Sequence, residues 1–507
     1  MPRIHRLAAA GLGLALTLTP FASTPAQAAP APRSAIVRTA DRIEQTFLDN
    51  CTDGRDDWVC TDRLLTEAII GLAATQDTRY ADTLGKMSMI LANEVDAATT
   101  QDAFYTAQSI IAVDALGLNP RSFGGINLVE RLVREWAARP RLIAGWAPSL
   151  SVIAFARAGE PVPAAALNAV LAQQNAQTGA LGSMSGGQWI PDHLLTALGM
   201  VALSTQASTK PAAATALAKA VAWAKSPANA TTDATGTYWG KPRATHGGQA
   251  AYTAYMLAAI EEVGTTNIDT SRQLSWLIGQ QRPDGGFAST VGGTISSPEI
   301  TVMALPGLTG AGYLKASAAS PFTDITRDNQ FFREIQWVFL RGIAKGWSEP
   351  DDTRTYRPLS AINRDAMAAY LYRMAGEPEY IPPATSPFSD VPTTAPFYKE
   401  ITWLSYAGIT TGWPDGTYRP HGTVNRDAMA AFLYRYANTP AFTPPAKSPF
   451  IDVRPADQFY KEMSWLASQR ISTGWPDGSY RPLNPVARDA MAAFLLRLDH
   501  ALTPAQP

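Results

Sequence analysis

The sequence predicts an all-α chain, and two observations carry that prediction. Across 35–312, twelve segments with a helical period alternate between two kinds; across 320–500, one helix–loop–helix unit recurs three times. A length of 507 residues with 46% hydrophobic content allows a sizeable core and excludes general disorder. The expected divisions are a signal segment over 1–28, a helical ring over 35–312, and repeats over 320–382, 386–444 and 448–500.

Residues 1–28 have a basic start with Arg3 and Arg6, the apolar run "LAAAGLGLALTL", and Ala26-Gln27-Ala28 as a small-x-small cleavage site. The run is too short to span a bilayer, so a secreted chain with no transmembrane segment after processing is expected. Removing it takes away two arginines and leaves 40 basic against 43 acidic residues, a net charge of −3. That balance gives no footprint for a nucleic-acid partner.

Cys51 and Cys60, in "DNCTDGRDDWVC", are the only cysteines. Outside the cytoplasm a lone pair this close is expected to form a disulfide, and the segment holds no histidine for a metal site. No metal and no cofactor are expected.

The ring segments come in two kinds. Charged amphipathic ones occupy 36–50, 78–95, 128–140, 163–174, 211–225 and 269–281; nearly all-apolar ones occupy 62–74, 102–116, 149–159, 192–204, 249–260 and 298–308. A helix apolar on all sides must be buried, whereas one with a charged stripe can face water. Six of each, alternating, describe six buried helices inside six half-exposed ones, an (α/α)6 toroid. Thr66, Thr106, Ile153, Thr196, Thr253 and Met303 are taken as equivalent inner positions.

The stretch "WLIGQQRPDGGFAST" (276–290) and a degenerate copy, "LAQQNAQTGALGS" (171–183), resemble the glutamine-and-aromatic repeat of the terpenoid cyclase and prenyltransferase superfamily. In this reading Gln280 or Gln281 caps backbone at an outer helix end, Pro283 to Gly286 make a turn, and Phe287 packs back on the ring. The resemblance implies a fold and not a reaction. The family's Asp-x-Asp-Asp acid, zinc ligand set and thioester motif are all missing from the sequence.

Inner segments begin with polar groups, among them Asp102, Asp192 and Glu299. Helix capping accounts for them; so does a ligand rim shared with Trp189, His193, Trp239 and His246, in which two acids act on a polysaccharide. Whether the ring is an enzyme therefore stays open.

The repeats open with "SPFTDI", "SPFSDV" and "SPFIDV". Each continues through an amphipathic helix, Gly-Trp, a turn, Tyr-Arg-Pro and a helix starting at Arg-Asp-Ala-Met. A unit this short buries little surface alone, so the three are expected to pack together. The opening Phe-x-Asp, the Asp-Gly turn and the helix-opening arginine resemble S-layer homology repeats, and the match covers 320–500. That resemblance implies attachment to cell-wall polysaccharide, with Arg364, Arg426 and Arg488 contacting an anionic, often pyruvylated, sugar.

Trp347, Trp413 and Trp475 are expected to supply the stacking face; equally, the tryptophans fit a core role and the arginines a turn-locking one. Asn363 and Asn425 are expected as N-caps, whereas Ala487 has no capping group. The segment 309–321 reads as a small-residue linker. Together these readings describe a secreted, wall-anchored surface protein whose ring binds an unidentified ligand; the alternative is a wall-tethered hydrolase or lyase. Non-reducing peptide mapping of the exported protein is expected to recover Cys51 linked to Cys60, and two free thiols would contradict the bridge.

Overall fold

The computed structural model describes residues 33–51, 62–96, 102–141, 143–240, 248–265 and 268–502. The expected signal segment, Cys60 and His246 lie outside them. The chain is mainly helical, with two-stranded hairpins as its only sheets among the described residues. No described helix is long and apolar enough to cross a membrane.

The first twelve helices are α1 (Arg33–Cys51), α2 (Asp62–Ala74), α3 (Ala81–Glu94), α4 (Ala103–Ala115), α5 (Leu128–Ala138), α6 (Ala147–Arg157), α7 (Ala164–Ala172), α8 (His193–Gln206), α9 (Pro211–Lys225), α10 (Gln249–Val263), α11 (Ser271–Gly279) and α12 (Pro298–Thr309). The even-numbered helices pack in a cycle, each against the next, and α12 returns to α2. Odd-numbered helices flank them: α3 on α2, α5 on α4, α7 on α6, α9 on α8, α11 on α10, and α1 on α12. The two sequence kinds sort onto these layers. In α4 every residue from Thr106 to Ala115 is buried, and in α8 every residue from Leu194 to Leu203. By contrast α5 buries one stripe, centred on Leu128, Leu132 and Trp136.

Threonine sets the inner register. The Thr196 hydroxyl accepts the N–H of Leu181 (3.0 Å), Thr253 that of Trp239 (3.1 Å) and Thr301 that of Phe287 (3.0 Å). In α12 this role falls to Thr301, two residues before the Met303 chosen from spacing. Gln281 ties α11 to α1 by donating to the Ala35 carbonyl (2.8 Å) and the Thr39 hydroxyl (2.7 Å), and Phe287 is fully buried. The expectation missed short hairpins in the loops before α8 and α10, formed by β1 (Gly182–Ser185) with β2 (Gln188–Pro191) and by β3 (Thr231–Asp233) with β4 (Gly236–Tyr238). A two-residue pair, β5 (Phe287–Ala288) with β6 (Ser296–Ser297), precedes α12.

The repeats contribute α13 (Phe332–Leu340), a hairpin of β7 (Trp347–Ser348) with β8 (Arg354–Thr355), α14 (Arg364–Met374), α15 (Tyr398–Tyr406), α16 (Arg426–Tyr436), α17 (Tyr460–Ser468) and α18 (Arg488–Leu502). Each second helix packs on the first helix of the next repeat: α14 on α15, α16 on α17, and α18 back on α13. Where the three meet, backbone bonds form a circuit. Ile362 N–H donates to Val486, Val486 to Val424, and Val424 to Ile362, each at 2.9 Å.

The segment expected as a linker is instead fastened at both sides. Arg157 donates to the carbonyls of Tyr313 (3.0 Å), Leu314 (2.7 Å) and Ala316 (2.8 Å), while Glu262 accepts the N–H groups of Gly312 (2.7 Å), Leu314 (3.0 Å) and Lys315 (2.8 Å). Small residues here allow close approach, and buried charge removes the freedom their composition suggests. Asp114 of α4 then joins the two parts by pairing with Arg157 and with Arg333 of α13, each at 3.0 Å.

The α10–α12 contact depends on Gly307, where an added Cβ would lie 2.4 Å from the Ala254 Cα. Gly307→Ala is therefore expected to lower stability by about 1–3 kcal/mol through overpacking. Gly279→Ala, which meets open space, is expected to be near neutral or stabilising; denaturant unfolding of both variants checks the contrast.

Candidate functional site

The repeat interfaces are built from one turn. In each repeat the Phe-x-Asp aspartate accepts two successive backbone N–H groups. Asp324 holds Tyr356 and Arg357, each at 2.7 Å; Asp390 holds Tyr418 and Arg419, each at 2.7 Å; Asp452 holds Tyr480 (2.7 Å) and Arg481 (2.8 Å). The arginines so held are left-handed, with φ of 57°, 58° and 58°. A non-glycine residue is strained there, and the two carboxylate bonds compensate.

This turn presents a tyrosine carbonyl to the preceding repeat. Arg364 Nε donates to Tyr418 (2.7 Å), Arg426 Nε to Tyr480 (2.8 Å) and, closing the cycle, Arg488 Nε to Tyr356 (2.9 Å). Each guanidinium lies over the tyrosine whose carbonyl it binds, at 4.6 Å for Tyr418 and 4.8 Å for Tyr480 and Tyr356. Arg426 also stacks on Trp475 at 4.2 Å and Arg488 on Trp347 at 4.1 Å. The expected tryptophan and arginine therefore meet, but across a repeat boundary and not within one unit. Trp413 stacks on Arg419 at 4.1 Å and not on Arg364.

The turn arginines have acidic partners: Arg357 with Glu349 (3.2 Å), Arg419 with Asp415 (2.8 Å) and Arg481 with Asp477 (2.9 Å). Arg364, Arg426 and Arg488 form no ion pair among the described residues. Arg426 and Arg488 are only 6% and 5% exposed, and burial lowers the pKa of Arg364 and Arg426. Each interface thus holds a desolvated cation with no carboxylate in ion-pair contact, an arrangement suited to an anion, although Asp390 and Asp452 act on Arg364 and Arg426 from farther off.

Asn363 and Asn425 make no side-chain cap, contrary to expectation. The helix-opening N–H groups instead reach the neighbouring repeat, where Arg364 donates to Gly422, Arg426 to Asn484 and Arg488 to Ser360, each at 3.0 Å. Ala487 needs no capping side chain because the next repeat supplies the acceptor.

In the ring, the proposed rim separates into caps and core. Asp102 accepts the Tyr105 N–H (2.9 Å), and Asp192 those of Leu194 (2.8 Å) and Leu195 (3.0 Å). Glu299 lies in the first turn of α12, whose cap is Ser297. These carboxylates belong to α4, α8 and α12, alternate members of the cycle. Asp102 borders a cavity of about 1080 Å³ with Glu130, Arg131, Glu135 and His500. Trp239 is 1% exposed and its backbone N–H donates to Thr253, as that of Phe287 does to Thr301, so its side chain lies in the core. Trp189 is half-buried on β2, and His193 Nε2 lies 3.1 Å from the Asn229 carbonyl and packs on Trp223.

Sequence reasoning missed Glu67, fully buried in α2. It accepts from Gln108 (2.9 Å), Tyr255 (3.0 Å) and Tyr313, joining three ring helices or connections to α2. Its apolar neighbours gave no signal of a buried partner set.

Residues 387–430 and 449–492 match the family model of the S-layer homology domain. These are the second and third repeats; the first, which shares their circuit, carries four extra residues between Trp347 and Tyr356. The chain is 24% identical over 169 residues to Cell surface glycoprotein 1 of Acetivibrio thermocellus, covering 32% of this chain and 7% of that protein. It is 25% identical over 190 residues to an endoglucanase of Bacillus sp. strain KSM-635, covering 36% of this chain and 19% of that one. The chain thus spans less than a fifth of either relative. Its C-terminal part carries an S-layer homology domain, which makes it a protein of the cell surface.

Asp452→Ala is expected to lower stability by roughly 1.5–3 kcal/mol, the size of a hydrogen bond to a charged group. It should also release the Tyr480 carbonyl from Arg426, read in chemical denaturation together with the indole fluorescence of Trp475.

Proposed function

We propose that the three repeats anchor this protein non-covalently to an anionic cell-wall polysaccharide, and that the ring is the unit thereby held at the wall. The observation that supports this most is the set of desolvated, carboxylate-free guanidiniums at the repeat interfaces, at Arg364, Arg426 and Arg488. A carboxylated sugar, pyruvate-ketal or uronate, complements it: the acid pairs with the guanidinium, and the ring faces Trp347, Trp413 or Trp475. Three interfaces along one polymer raise the joint affinity above that of any one. The export signal over 1–28 and the Cys51–Cys60 bridge belong to the same reading.

The likeness to an endoglucanase keeps a wall-tethered enzyme as the second reading, but Asp102 and Asp192 are engaged as caps. Anchoring is therefore the reading the geometry favours.

The intact protein is expected to sediment with isolated cell walls. Converting the wall carboxyls to alcohols should abolish sedimentation, and raising the salt should weaken it. The variant with Arg364, Arg426 and Arg488 all changed to Gln is expected to stay in solution. Equal binding to carboxyl-reduced walls would overturn the role given to the arginines.

A further inference from the structure

The three interfaces have one plan but differ in access. At Arg426, Trp475 lies over the guanidinium at 4.2 Å and Ser472 Oγ accepts from Nη2 at 3.1 Å, so the cation is 6% exposed. At Arg488, Trp347 covers it at 4.1 Å and exposure is 5%. Both tryptophans are also held from their other neighbour, Trp475 by Arg481 at 4.5 Å and Trp347 by Arg357 at 4.6 Å.

The Arg364 interface lacks that cover. Trp413 is about as exposed as Trp347 (44% against 38%) but stacks on Arg419 and not on Arg364, so Arg364 is only half-buried, its Nε on Tyr418 and its face on Tyr418 and Phe432. The loop beside it is also different. Gly422 stands where the sister interfaces have Asn484 and Ser360, and a Cβ there would lie 3.8 Å from Arg364 Cδ. His421 replaces Leu483 and Leu359 and points largely to solvent, with Nδ1 3.3 Å from Asp365. A smaller loop residue and the absence of a tryptophan over Arg364 leave this guanidinium more accessible than its two counterparts, with Trp413 exposed on the adjoining turn.

We infer that the Arg364–Trp413 interface is the primary binding site for a carboxylated sugar, and that the other two are closed by Trp475 and Trp347 until a ligand displaces them. This rests on the anchoring reading and assigns its unequal parts. Displacing a stacked tryptophan costs the cation–π contact, so the closed sites bind more weakly.

The test uses the intact protein and two probes, methyl glucuronide and a methyl hexoside bearing a 4,6-pyruvate ketal, with neutral methyl glucoside as control. Calorimetric titration is expected to give one dominant site per chain for at least one charged probe. Arg364→Gln should weaken it about ten- to a hundredfold, the loss of one charge-assisted pair. Arg364→Lys should restore part, and the double change H421L/G422N, which copies a closed interface, should weaken binding without altering the melting temperature. Two or three equivalent sites, or a loss on Arg426→Gln as large as on Arg364→Gln in a chain that melts like the parent, would overturn the inference while leaving anchoring intact. Absence of binding to both probes and to whole walls would overturn both.

Discussion

The circuit of backbone bonds through Ile362, Val486 and Val424 is the constraint on which the repeat module depends. No repeat completes itself. Each lends its helix-opening arginine and N–H groups to the loop of the next, and receives the same from the one before. A unit of this size buries too little surface to be stable alone, so exchange around a threefold cycle replaces the missing core. The same exchange places a cation at every seam, in contact with a tyrosine carbonyl and in an ion pair with no described carboxylate. Stability and a site for anions thus come from one arrangement.

The second constraint joins that cycle to the ring. Asp114, paired with Arg157 and Arg333, sits between the inner helices and the first repeat. Around it, Arg157 and Glu262 bind the connecting backbone, and Tyr313 enters the buried cluster of Glu67, Gln108 and Tyr255. Burial raises the pKa of Glu262 and of both tyrosines, so the phenols remain donors throughout the ordinary pH range. A ring attached in this way is carried at a fixed orientation by whatever the repeats hold.

Much of this was legible in the sequence. The alternation of all-apolar with charged segments located the two layers, because a buried helix cannot carry a charged stripe. Three copies of Tyr-Arg-Pro and Arg-Asp-Ala-Met located the seams. What could not be read was which repeat a side chain serves: Arg426 meets Trp475 and not the tryptophan of its own unit, since that depends on how the units close. Trp239 reads as a rim residue because its loop precedes an inner helix, and its burial to 1% exposure is a matter of packing that the sequence does not show. The segment 309–321 looked flexible from its small residues, while the charges that hold it, Arg157 and Glu262, are 156 and 50 residues away in sequence from the backbone groups they bind, Tyr313 and Gly312.

Native-state hydrogen exchange of three amides tests the central claim most directly. If the repeats close as a single cycle, the N–H groups of Ile362, Val424 and Val486 open together and exchange with the same free energy, tracking global unfolding of the repeat module. Exchange of any one of the three at a free energy well below the other two would show that the cycle is open and that the repeats stand as separate units.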